Sequence, residues 1–177
     1  HQDIYQVYNK NDFRKKTGNF TCGILPPADD ITFDKNNDVK EIIGGSRFVG
    51  DCQLRSYRLA ISCTGEYASF HGGTKEKVLA AYNNTMTRVN GLYEADAGVT
   101  MKLVGNTDKI IYLNATTDPF NNGDGEIMLD QNQTTIDNVI GKSNYDIGHV
   151  FSTGGGGIAQ LRSPCSDSKA MGVTGQN

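Results

Sequence analysis

Four consecutive glycines, Gly154–Gly157, stand between short apolar runs late in the chain. No other feature restricts the fold as much, because a glycine run lets the backbone reverse through conformations closed to other residues. Before it, Tyr145–Ser152 is apolar on alternating positions (Tyr145, Ile147, His149, Phe151) and reads as a strand. After it, Ile158–Leu161 is short and apolar. Ser163–Ser168 carries Pro164, Cys165 and Asp167 and reads as a turn, and Ala170–Thr174 reads as another short strand. A glycine-flanked strand between two others is a candidate sheet edge. Edge strands carry unpaired backbone groups and can recruit an extended chain.

The 177 residues are enough for one domain with a real core. A net charge of −3 leaves no nucleic-acid footprint, and no apolar run reaches membrane-spanning length. The N-terminus lacks a charged-then-apolar leader, so any signal peptide is expected to have been removed. Four cysteines are compatible with an oxidising compartment. Asn19, Asn83, Asn114 and Asn132 begin glycosylation sequons, which matter only in a glycosylating host.

Residues 1–54 read as a polar, irregular, extended arm, with a charged stretch at Lys10–Lys16. Tyr57–Cys63 alternates and predicts a first strand, with Glu66, Tyr67 and the loop residue His71 after it. Cys63 either pairs with Cys52 or sits in the core as a small hydrophobe. Thr74 is placed to cap a long helix from Lys75 to about Ala95, closed by Gly98. Its stripe Val78, Leu79, Tyr82, Met86, Val89, Leu92, Tyr93 should face a sheet. Val99–Val104 and Lys109–Leu113 are strand-like, forming one bent strand or a hairpin. Asp118, Asn122, Asp124 and Glu126 lie in a turn-rich loop that reads as a solvated acidic turn, although such oxygens can also hold calcium. Gln131–Ile140 predicts a short helix with Ile136, Val139 and Ile140 inward. This alternation of strands and helices argues for an α/β sandwich.

The segment SYRLAISCTGEYASFHGGTKEKVLAAYNNTMTRVNGLYEADAGVTMKLV, the run YDIGHVFSTGGGGIA, Cys165 and KAMGVTG together resemble secreted bacterial reprolysin-like metallopeptidases. These are adamalysin-related enzymes of the metzincin clan. The resemblance spans roughly residues 55–175. It implies a metzincin-like N-terminal subdomain over 55–177, with a mixed, mostly parallel, twisted sheet of about five strands and two helices. Gly157–Leu161 would be the antiparallel strand bordering the active-site cleft. It implies a secreted zinc endopeptidase that hydrolyses protein substrates through metal-activated water. Gly155, Gly156, Gly157, Ile158 and Ala159 would then form the ledge on which substrate lies. Cys22-Gly23-Ile24 is similar to the family's cysteine switch, whose thiolate occupies the open zinc position, and residues 1–54 would end a pro-segment. A disulfide from Cys22, most simply to Cys52, is the competing reading. Cys165 would tether a C-terminal subdomain, and Asp146 would support structural calcium.

The clan's HExxHxxGxxH signature is absent. His1, His71 and His149 are the only histidines and are not spaced as a helical pair; His149 reads as a packed core residue. The resemblance therefore implies an N-terminal piece whose zinc helix comes from the C-terminal remainder of a longer polypeptide. A single covering helix would leave the sheet's other face bare for that remainder to bury. The competing class is a non-catalytic, secreted peptide-binding or adhesion domain using the same glycine-rich edge.

Overall fold

The structure is a computed structural model that describes residues 53–154 and 156–175 and the backbone of Cys22–Leu25. Six strands form one sheet: β1 (Cys22–Leu25), β2 (Arg55–Cys63), β3 (Val99–Leu103), β4 (Ile147–Phe151), β5 (Gly157–Gln160) and β6 (Gly172–Thr174). Their order is β1-β5-β6-β4-β2-β3. Only β5 and β6 run antiparallel; the other neighbours are parallel. Among the described residues three α-helices accompany them: α1 (Gly65–Phe70), α2 (Lys75–Ala97) and α3 (Gly125–Val139). The mixed, mostly parallel α/β sheet is the one expected.

Side-chain alternation along β2 and β4 separates two faces. Leu59, Ile61 and Cys63 meet Val78, Tyr82 and Met86 of α2, with Tyr67 and Ala68 of α1. On the opposite face the strands carry small groups. Ala60 packs near Ile136, and Ser62 bonds to Asn132 of α3. A Cβ on Gly148 would lie 3.0 Å from Ile136 Cδ1, so this small-residue face is what admits α3 so close. Helices therefore cover both faces, which corrects the expectation of one covered and one bare. The apolar surface left open lies beside α2 instead.

The helix ends follow local chemistry. Thr74 Oγ1 accepts from Lys77 N–H and caps α2, while Gly98, at φ 61°, closes it in a left-handed conformation. Asp124 Oδ1 accepts from the N–H groups of Glu126 and Ile127 and starts α3 six residues earlier than Gln131. Thr64 caps α1 through a bond from Tyr67 N–H, so Glu66 and Tyr67, which follow β2, are helical, and His71 stands at the helix's C-terminal end.

Three further expectations are corrected. Lys109–Leu113 is not a strand: Asn106 adopts φ 62°, Thr107 Oγ1 donates to Val104 O, and the chain enters a 3-10 turn over Thr107–Ile110. Only Ile111 then bridges to Cys63. Val139 points to solvent, whereas Ile136 and Ile140 are buried as expected. Tyr145 packs with the α3 cluster and donates to Asp137 Oδ1 at 2.7 Å, on the face opposite Ile147 and Phe151.

Two side-chain amides fix the layers. Asn90 of α2 donates to Met101 O at 2.9 Å and accepts from Met101 N–H at 3.0 Å, satisfying backbone groups of β3. Asn132, fully buried, accepts from Ser62 Oγ at 2.5 Å and donates to Ala170 O at 2.6 Å. It therefore joins α3 to β2 and to the turn before β6. Among the described residues no helix is long and apolar enough to cross a membrane.

Replacing Asn132 by leucine removes the better partner of both Ser62 Oγ and the Ala170 carbonyl, leaving His149 O at 3.4 Å for the first and Gly172 N–H at 3.1 Å for the second. The expected loss is about 2–3 kcal/mol of unfolding free energy, measured by urea titration; an unchanged midpoint would show that the layer tolerates the weaker partners.

Candidate functional site

The glycine run is held by what surrounds it. Gly156 takes φ 92°, a region costly for any residue with a side chain, and its carbonyl accepts from Gly175 N–H at 2.6 Å. A Cβ on Gly154 would run into the backbone oxygen of Asn122. The Asn122 amide accepts from Thr64 Oγ1 and from Thr153 N–H, both at 3.0 Å, and donates to Thr153 Oγ1 at 3.0 Å. One side chain thus joins the ends of β2 and β4 to the start of the glycine turn. The sequence gives no local signal for this, since Asn-Asn-Gly-Asp looks like any exposed turn.

β5 is antiparallel to β6, as the resemblance implied. It is not the last strand, however. Cys22–Leu25, read from the sequence as part of an irregular arm, adds along its outer edge in parallel register. Cys22 lies opposite Gly157, Gly23 opposite Ile158, Ile24 opposite Ala159 and Leu25 opposite Gln160. Gly157, Ile158 and Ala159 thus belong to a strand that has accepted another strand, and Gly156 leads into it. Gly155, Cys52 and the Cys22 side chain lie outside the described residues.

A groove of about 550 Å³ opens between α2 and the sheet, walled by Leu59, Ile61, Met86, Val89, Ile147 and His149. Phe151 and Thr174 lead from it into a smaller hollow beside His71 and Gly175. The C-terminal part of the α2 stripe is left over: Leu92 is 66% exposed and Tyr93 51%. The sequence pattern placed both residues against the sheet.

His149 is half-buried in the groove wall. Its Nε2 lies 2.8 Å from Thr174 Oγ1, and its ring meets Phe151 edge-on at 5.5 Å. A Cβ on Gly172 would reach within 2.5 Å of Nδ1, so the ring occupies the space that glycine leaves. Burial pushes its pKa down to about 4. His71 stacks on Tyr67 with centroids 4.4 Å apart, and burial lowers its pKa as well.

Zinc hydrolysis needs three protein ligands and an open position. Among the described residues no group of three or more His, Cys, Asp or Glu side chains converges on a metal site. These described residues do not fit a zinc centre, and His71 and His149 serve packing.

The remaining candidates resolve into structural roles. Asp146 accepts from Arg58 Nη2 at 2.6 Å, Nε at 3.1 Å and the Arg58 backbone N–H at 2.8 Å, and these bonds lower its pKa. The carboxylate holds the Arg58 guanidinium. In the acidic loop, Asp118 accepts from the N–H groups of Gly65 and Phe120 while Asp124 caps α3, so these oxygens tie the loop down. Cys63 is a free, buried thiol, which is the core reading of the two that the sequence left open, and Cys165 is free and exposed. Burial pushes the Cys63 thiol up to about 11, leaving it unreactive, and Cys165 is exposed at φ 62° in its turn.

The depressed pKa of His149 has a definite sign. The unfolded chain binds a proton there near pH 6.5 and the folded chain only near pH 4, so this stability is complete above pH 6.5 and is lost as pH falls toward 4. Solvent reaching the ring through the groove trims the effect to about 1–3 kcal/mol. Replacing His149 by glutamine should flatten unfolding free energy against pH between these limits. An identical slope in the variant would remove the assignment.

No curated protein matches the chain. Residues 79–177 match the family model described as Metallo-peptidase family M12B Reprolysin-like. That match takes in most of α2, the glycine-bordered β5 and the groove wall from Met86 to Thr174, more than half of the sequence, and the chain belongs to the M12B reprolysin-like metallopeptidase family.

Proposed function

We propose that the chain is the substrate-positioning part of a secreted zinc endopeptidase, with residues 55–177 supplying the N-terminal subdomain and residues 1–54 a pro-segment-like arm. One observation carries this reading: the outer edge of β5 has accepted a four-residue strand in register. Main-chain bonds from such an edge fix the direction of an extended peptide without requiring a particular side-chain sequence. Gly155–Ala159 is accordingly assigned to substrate and Cys22–Leu25 to a segment that occupies the ledge before activation. Cys22 is the proposed inhibitory thiolate.

The metal belongs to a zinc helix in further sequence of the same polypeptide, and no described residue takes a step in the hydrolysis. Two observations support that assignment. Family membership implies a metallopeptidase, and the α2 groove has the apolar walls that a helix buries. Thr174 and Gly175, where the chain leaves β6, line the same run of groove and hollow. A non-catalytic secreted binding domain is the second reading, favoured by the missing ligand set among the described residues.

The full-length gene product, activated and dialysed, should hold stoichiometric zinc and cleave a denatured protein substrate, and chelation should abolish cleavage. Peptide binding without zinc and without cleavage would establish the binding domain instead. In the full-length precursor, Cys22→Ala should bring activity on without processing; unchanged latency would remove the thiolate from the inhibitory role.

A further inference from the structure

A second hollow lies on the other side of β5, against the N-terminal end of α3, with a volume of about 370 Å³. Met128, Ile158 and Val173 give it an apolar lining, and Gly156 and Gly157 leave one wall as bare backbone. Asp124 and Glu126 bring carboxylates, and no cationic side chain is among its described lining residues. Asp124 spends Oδ1 on the α3 cap, while Glu126 is exposed at the helix's first turn. The end of α3 carries only about half a positive charge, so the two carboxylates set the sign of the site.

The hollow is placed to serve a strand added to β5. Ile158 packs with the cluster of Met128 and Val173 on the α3 face. Residues paired across neighbouring strands share a face, so whatever lies opposite Ile158 is directed to this side. In the intramolecular pairing that residue is Gly23, which has no side chain to offer. The strand seated on β5 therefore fills the backbone ledge and puts nothing into the hollow from this position.

We propose that the hollow is a specificity subsite for a lysine or arginine side chain, carried by the residue opposite Ile158 in a peptide bound along β5. A long aliphatic stem lies over Met128, Ile158 and Val173 while its cationic head reaches Glu126 and the second oxygen of Asp124. An acidic side chain meets like charge there, and a short one leaves the apolar lining wet. This assignment rests on the reading of β5 as a peptide-docking edge.

The test uses the activated full-length protein and three otherwise identical peptide series in which lysine, norleucine or glutamate is stepped through each position. Lysine should be preferred about threefold to fivefold in kcat/KM at a single position. Glu126→Gln should shrink the lysine preference over norleucine there, and Glu126→Lys should turn the preference toward glutamate. Cleavage with no such position, or a lysine preference that survives Glu126→Lys, overturns the subsite. Should the protein cleave nothing, the endopeptidase reading fails separately, and the same peptides, fluorescently labelled, are compared by anisotropy on the same protein. A lysine-to-norleucine affinity ratio that shrinks in Glu126→Gln supports the subsite; equal affinities, or no binding, overturn it.

Discussion

The last five residues of β2, Leu59–Cys63, are buried on both faces, and that requirement places the rest of the fold. A central parallel strand can stay dry only if something covers it above and below. Parallel crossovers are right-handed, so the step from β2 outward to β3 and the longer step back to β4 put their helices on opposite faces. α2 therefore lies against Leu59, Ile61 and Cys63, and α3 lies against Ala60 and Ser62. Large groups on one side and small groups on the other make the layers unequal. α3 seats closely, while α2 runs past the sheet with part of its stripe uncovered.

Periodicity made the regular elements legible. Val78, Tyr82 and Met86 recur at helical spacing, Thr74 and Gly98 mark the helix ends, and the alternation in β2 marks its two faces. The departures occur where a long-range bond or a local cap overrides the pattern. Tyr145 alternates with Ile147 in sequence yet reaches across to Asp137 on the other face. Lys109–Leu113 has strand composition, but the left-handed Asn106 and the Thr107 hydroxyl bond turn the chain before a ladder forms. Leu92 and Tyr93 fit the stripe and still face water, because a stripe does not say whether its partner reaches that far.

The candidate site was legible in part. Its glycine-bordered strand could be found because glycine runs are rare and strands beside them are short. Asn122, which anchors that turn through Thr64 and Thr153, could not, since its partners lie 58 and 31 residues away along the chain. The Cys165 tether and the Asp146 calcium were expected from resemblance, whereas the two readings of Cys63 came from the residues themselves. The folded side chains put Cys63 in the core as a free thiol and gave Asp146 to Arg58. Family membership and side-chain geometry thus answer different questions: the first names a class of chemistry, and the second says which groups of this chain stand near it.

The two ends of the sheet are finished in unlike ways. At β3, Asn90 supplies an amide that imitates a neighbouring strand at Met101, and a side chain anchored on a packed helix does not peel away. At β5 the finishing piece is a short length of main chain from the distant N-terminal region. The hydrogen-bond ladder is accordingly sealed at Met101 by a group fixed to the core and closed at β5 by a paired segment of main chain. Growth of this sheet is polar: a foreign segment or a sister molecule that would lengthen it past β5 has to displace Cys22–Leu25 first.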